Sequence, residues 1–285
     1  MKIKICGLSR EEDIDYINEA RPDYAGFVFA PSKRQVSPVL AARLRLRLAE
    51  GIAPVGVFID APAADIAALY RDGVISLAQL HGGEDEEYIA RLKEASGDTP
   101  VPVIKVIKGE SLKSLARRHG EHGKYEDLAQ GHGGTVEHGE EFYHEPTRTK
   151  EENHGVHGEE KKNTEKHGGR KEKETTEYTS NLRFAKHGVL INSSADFYLI
   201  DSGAGSGKPF DWNLLNLPRS PLPAPRSLFE KPWFLAGGIG TNNIERAMAL
   251  KPFGIDVSSG AETDGVKDRE KILRLTEIVR EGNKG

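Results

Sequence analysis

Short runs of almost uninterrupted apolar residues alternate with stretches of helical periodicity along most of this chain, and that alternation limits the fold more than any other feature. The runs are 2–8 (KIKICGL), 24–30 (YAGFVFA), 54–60 (PVGVFID), 75–81 (ISLAQLH), 101–107 (VPVIKVI), 197–201 (FYLID), 233–236 and 255–257. Helical patterns fill 11–20, 38–50, 62–71, 84–95 and 267–280, and another starts at Ser111. Strands this apolar suit a parallel sheet covered on both faces, and helices of 10–15 residues between them indicate repeated βαβ units. Eight such units predict a single (β/α)8 barrel spanning 1–285. A doubly wound sheet is the alternative, but it seldom needs eight strands and would carry a dinucleotide loop after the first.

One stretch interrupts the pattern. Residues 119–181 hold 63 positions but only eight of the hydrophobic class, with 15 acidic and 9 basic side chains. Eight of the ten histidines fall there, seven of them followed by glycine. Such a segment has too little apolar surface to offset the entropy of ordering its backbone, about 1–2 kcal/mol per residue. It is expected to be a disordered or loosely ordered insertion within the barrel. It follows the fifth strand, and 182–186 are expected to resume the helix it interrupts. A metal sink is the sharper possibility, since imidazoles suit zinc, nickel or copper, but the spacings are irregular and no cysteine accompanies them.

Charge and cysteine content exclude several classes. The net charge is −4, so there is no general electrostatic reason to bind nucleic acid or an anionic membrane surface. A single cysteine, Cys6, rules out an intrachain disulfide. No apolar run approaches the ~18–20 residues of a membrane span. The N-terminal MKIKICGL enters a strand pattern without a secretory signal, so a soluble cytoplasmic protein is expected.

In a (β/α)8 barrel, chemistry sits at the C-terminal ends of the strands. Those ends supply Cys6-Gly7, Ser32-Lys33-Arg34, Asp60, His81-Gly82, Asp201-Ser202, Gly237-Gly238 and Asp256 with Ser258-Ser259-Gly260. Taken singly, a cysteine at a strand end is often a small buried hydrophobe and an aspartate often a helix N-cap. Neither explains their joint placement on one rim. The strongest local signal is the pair of small-residue turns after the last two strands, at Gly237-Gly238 and Ser258-Ser259-Gly260. Glycines let backbone N–H groups approach an anion, and this is the usual phosphate site of the fold. Residues 203–208 lack P-loop spacing, and 238–243 have Asn243 where a dinucleotide fingerprint wants its third glycine.

With these residues in place, the chain resembles phosphoribosylanthranilate isomerase. The resemblance is carried by KICGL at 4–8, GFVF at 26–29, Ser32-Lys33-Arg34, GVF at 56–58, QLHG at 79–82, Asp201-Ser202, GSGKPFDW at 205–212, AGGI at 236–239 and GIDVSSGAE at 254–262. It runs in order along the chain and skips only the insertion. It implies one barrel that converts N-(5-phosphoribosyl)anthranilate to 1-(2-carboxyphenylamino)-1-deoxyribulose 5-phosphate, an Amadori rearrangement in tryptophan biosynthesis with no metal or organic cofactor.

Site roles follow from the same resemblance. Asp201 is the general acid and Cys6 the general base. Arg34 pairs with the anthranilate carboxylate, Asp256 accepts from its amine, and His81 lines the sugar site. Gly205 joins Gly237, Gly238, Ser258, Ser259 and Gly260 around the phosphate, with 205–208 forming a loop that closes over substrate. Chemistry adds two requirements. Asp201 must hold a proton near neutrality, with a pKa raised above about 3.9. Cys6 must be available as thiolate, with a pKa lowered from about 8.5 by nearby positive charge. The expected partner is the small-molecule substrate, with neither nucleic acid nor membrane, and the protein is a monomer or homodimer. Two alternatives belong to other classes. One is a histidine-pathway barrel isomerase, although those place an aspartate where this chain has Cys6. The other is a metal-binding module built on the His-Gly tract.

Overall fold

A computed structural model of the chain describes residues 1–109, 111, 182–185, 188–191, 193–201, 212 and 231–284, with backbone alone for 182–191. The insertion at 119–181 and Gly205 lie outside the described residues.

Eight parallel strands form a closed barrel. In chain order the first five, each of β1–β4 followed by a helix, are β1 Lys2–Cys6, β2 Tyr24–Val28, β3 Ala53–Phe58, β4 Leu77–Leu80 and β5 Val103–Lys108. The intervening helices are α1 Glu11–Ala20, α2 Pro38–Arg47, α3 Ala63–Arg71 and α4 Glu86–Ala95. After β5 come β6 Leu182–Ala185, β7 Gly188–Ile191, β8 Phe197–Asp201, β9 Trp233–Leu235 and β10 Gly254–Val257. The barrel neighbours are β1, β2, β3, β4, β5, β8, β9 and β10, and β10 closes on β1. The C-terminal helix, Arg269–Glu281, packs beside α1. Among the described residues no helix is long and apolar enough to cross a membrane.

Strand alternation sorts the core into two parts. Outward residues such as Ile3, Ile5, Ala25, Phe27, Ala78 and Val257 join the helices in the larger cluster. Inward residues Val55, Leu77, Ile104, Val106, Leu199 and Phe234 fill the barrel. Its floor is aromatic. The Phe234 ring meets Tyr24 edge-on at 5.5 Å and Phe253 at 5.4 Å, with Phe197 tilted against Phe234 and Phe253. Gly254 makes room for this, since a Cβ there would lie 2.6 Å from the Phe234 ring. Three of the helices start on side-chain caps, Ser37 accepting from Leu40 N–H, Asp85 from Tyr88 N–H and Asp268 from Lys271 N–H.

Within the expected helix at 182–186, the described residues 182–185 are not helical. Leu182–Ala185 instead pairs antiparallel with Gly188–Ile191 in a two-stranded sheet outside the barrel. The run LRFAKHGVLI is two apolar, β-prone segments flanking Lys-His-Gly, which is a hairpin pattern. A second hairpin follows β10, with β11 Glu262–Thr263 paired to β12 Val266–Lys267. Its central residues Asp264 and Gly265 have φ of 50° and 80°, the left-handed pair that a type I′ turn requires. That turn sets the register in which Glu262 stands opposite Lys267.

Candidate active site

Reactive side chains gather at the inward positions toward the C-terminal end of the barrel. On β1 the inward series is Lys2, Lys4 and Cys6. Cys6 pairs in register with Gly26 of β2, and the thiol takes the space a side chain would use there: a Cβ on Gly26 would lie 2.7 Å from Sγ. Lys4 is wholly buried, and its Nζ donates to Asp256 Oδ1 at 2.9 Å across the β1–β10 seam. Its charge also acts on the Cys6 side chain. Burial of an ammonium opposes its charge, but Asp256 and Cys6 outweigh that and hold Lys4 above the ordinary lysine value.

Cys6 departs from the sequence expectation. Burial pushes the thiol up, the positive charge of Lys4 pulls it down, and Asp256 pushes it up again. The net direction is upward, not downward. The physical reason is burial first, with Asp256 then offsetting part of the downward pull of Lys4 and Lys267.

Asp201 ends β8, with β9 and β10 between it and β1. Its Oδ2 lies 3.3 Å from His81 Nε2, and the His81 Nδ1 is 3.4 Å from the amide nitrogen of buried Gln79. Gln79 and His81 are inward residues of one strand line, so the end of β4 sets an imidazole beside Asp201.

Arg34, in the loop after β2, does not present an open fork. Its Nε and Nη2 donate to the two Glu262 oxygens at 2.5 and 2.7 Å, and Lys267 Nζ donates to the same carboxylate at 2.7 Å. Burial pushes the Glu262 carboxyl up, but the hydrogen bonds from Arg34 and Lys267 overcome this and hold it below the ordinary carboxylate range. Arg34 passes directly over Gly7, where a Cβ would come within 2.4 Å of Arg34 Cδ. Gly7 also has φ +85°, so glycine meets two demands at this position.

The turns after β9 and β10 meet through a parallel bridge between Gly240 and Gly260. Gly260 has no room for a side chain, since a Cβ would sit 1.8 Å from the Ile239 carbonyl oxygen. Asn243 ties the first turn by donating to Gly238 O and accepting from Gly240 N–H. The result is a cleft of about 330 Å³ lined by Gly238, Gly240, Thr241, Ser259, Gly260 and Lys271, among others. Gly238, Ser259 and Gly260 are therefore at the cleft. Gly237 has left-handed φ of 89° beside it, and the Ser258 carbonyl accepts from Lys267. Trp212 is buried with Arg246 over its ring, whereas 202–211 lie outside the described residues.

Lys4, Gln79, Glu262 and Lys267 had no place in the sequence-based site. Lys4 and Gln79 sit inside runs that read as apolar strand, and their signal is alternation: each is two residues before a candidate rim residue. For Glu262 and Lys267 the signal is Asp-Gly between them, which marks a hairpin.

The sequence profile of the N-(5'phosphoribosyl)anthranilate (PRA) isomerase family matches residues 3–135 and 154–277. A curated N-(5'-phosphoribosyl)anthranilate isomerase from Endomicrobium trichonymphae is 34% identical, with 98% of each chain covered. The one from Acetivibrio thermocellus is 31% identical, covering 99% of this chain and 97% of the relative. Among solved structures, the phosphoribosyl anthranilate isomerase of Thermotoga maritima is 25% identical and superposes with a TM-score of 0.59 over 99% of both chains. A closed eight-stranded barrel, a profile matched along most of its length and relatives above 30% identity lead to one conclusion: the chain belongs to the N-(5'-phosphoribosyl)anthranilate isomerase family.

Proposed function

We propose that this chain isomerises N-(5-phosphoribosyl)anthranilate to 1-(2-carboxyphenylamino)-1-deoxyribulose 5-phosphate, with Asp201 as general acid and Cys6 as general base. The observation that carries it is the position of these two groups. Both end inward positions of barrel strands at one mouth, each beside a partner that exchanges or stabilises a proton: His81 for Asp201, Lys4 for Cys6. The glycine-lined cleft after β9 and β10 suits the sugar phosphate.

Asp201 gives a proton to the furanose ring oxygen, the C1–O bond opens and a Schiff base forms. The Cys6 thiolate removes the proton on C2, and that electron pair makes the C1–C2 double bond of an enolamine, which tautomerises to the ketone. The upward direction of the Cys6 pKa makes the thiol its resting form. Lys4 and Lys267 lower the cost of the thiolate when it forms. Asp201 works as an acid only while it retains a proton near neutrality, and His81 is the group placed to return one. The substrate is a small molecule, and the enzyme acts in the cytoplasm as a monomer or homodimer.

Turnover of N-(5-phosphoribosyl)anthranilate by the full chain tests this. Cys6→Ala and Asp201→Asn should each lower kcat by roughly 10²–10⁴-fold while the affinity for a reduced product analogue stays nearly unchanged. Undiminished turnover in either variant removes that residue from the chemistry.

A further inference from the structure

A guanidinium offers five N–H donors arranged as two carboxylate-binding edges, one side-on through Nε and Nη2 and one end-on through Nη1 and Nη2. Glu262 fills the side-on edge of Arg34 with both of its oxygens. Arg34 Nη1 has no hydrogen-bond partner among the described residues. The stem of Arg34 is fixed as well, because it lies in the space over Gly7 that a side chain would fill, one residue beyond Cys6. Glu262 is itself held, by Lys267 directly across the β11–β12 hairpin and by burial. Stem, side-on edge and the anchor behind it are all constrained, and the end-on edge is what remains.

We propose that Glu262 is a positioning residue that holds Arg34 with its end-on edge toward the mouth of the barrel, where it takes the ring carboxylate of the substrate. Arg34 would then bind two carboxylates at once, one belonging to the protein and one to the ligand. Glu262 does not compete with substrate; it sets the plane and direction in which Arg34 receives it. This rests on the isomerase function proposed above and adds a residue that determines preference for a carboxylated aromatic amine. It also gives the Asp264-Gly265 turn a task, since that turn sets Glu262 against Lys267.

The test uses two probes on the full chain: the reduced product, and the same compound lacking the ring carboxylate. Calorimetric titration of the parent chain should favour the carboxylated compound by roughly tenfold or more, the usual worth of a bidentate charged pair. In Glu262→Gln that preference should collapse, with the carboxyl-free compound bound as by the parent. A full preference retained in Glu262→Gln overturns the proposal, and so does an equal loss of affinity for both compounds, which marks a merely structural role. If Glu262→Gln does not fold, Glu262→Asp keeps the charge beside Lys267 but is too short to span the fork. It should show the same collapse, and a retained preference there is equally fatal. Failure of the parent chain to bind either compound counts against the proposed activity itself. Binding of both without preference counts against Arg34 as the carboxylate site.

Discussion

Lys4 is wholly buried, and a charge taken that far from water persists only where a counter-charge meets it. Asp256 supplies that at 2.9 Å, and the two ends of the sequence are tied by this pair. Lys4→Met should therefore cost about 3–5 kcal/mol in chemical denaturation, because it strands Asp256 without its partner. The same change removes the main group drawing the Cys6 thiol downward. Because Cys6 is the only cysteine, thiolate absorbance near 240 nm reports it alone, and its titration should move to higher pH in Lys4→Met. An unmoved titration would mean that Lys4 does not act on the thiol. The two ion pairs also bound the pH range of full stability. Lys4, raised in the fold, contributes fully below its ordinary value of 10.5 and loses this as pH climbs through its folded value. Glu262, lowered in the fold, contributes fully above its ordinary value of 4.5 and loses this as pH falls through its folded value. Unfolding free energy should thus decline on both flanks, and Glu262→Gln should flatten the acid flank. At this scale Cys6, His81 and Asp201 were legible as candidates because each is a reactive side chain at the end of a strand run, with Asp256 inside the last barrel strand and Arg34 in the loop after the second. The direction of the Cys6 pKa was not, since it depends on burial and on carboxylates that only the folded chain brings near. Nor was the partner of Arg34, 228 positions away in sequence.

The strand–helix alternation was legible because buried parallel strands are apolar on both faces. Glu11–Ala20 and Phe197–Asp201 match the sequence expectation, and the other paired strands end within a few residues of theirs. The misreading at 182–186 came from extending a local helical pattern across a segment whose second apolar run, Gly188–Ile191, offered it a strand partner. Propensity yields to pairing when a partner is that close. Between elements the most exacting contact is the Gly240–Gly260 bridge, which draws together the turns after β9 and β10. Gly260→Ala should push those turns apart, because its Cβ overlaps the Ile239 carbonyl, at a cost of about 1–3 kcal/mol. Phosphate-dependent protection against thermal unfolding should weaken in this variant. Protection equal to that of the parent chain would mean that anion binding does not need the two turns in contact.

Across the molecule, the eight barrel strands close on one another directly. β5 pairs directly with β8, in register from Ile104 opposite Phe197 to Lys108 opposite Asp201. Replacing 119–181 by a short Gly-Ser linker should leave turnover intact and shift unfolding free energy by no more than about 1 kcal/mol, since loop closure grows only logarithmically with length. Loss of the isomerase reaction on that replacement would assign the tract a part in catalysis. Eight barrel strands were legible from spacing alone, whereas the disorder expected of 119–181 falls outside the described residues. The barrel is a longer arc, β1 to β5, and a shorter one, β8 to β10, zipped along the β5–β8 and β10–β1 seams. Lys4 and Asp256 straddle one seam, and Lys108 and Asp201 face each other across the other. The groups proposed to handle protons are therefore shared between two pieces of polypeptide. A chain severed between the seams would have to re-dock its halves before any thiol and carboxyl could meet over one sugar, so reassembly and catalytic competence would return together.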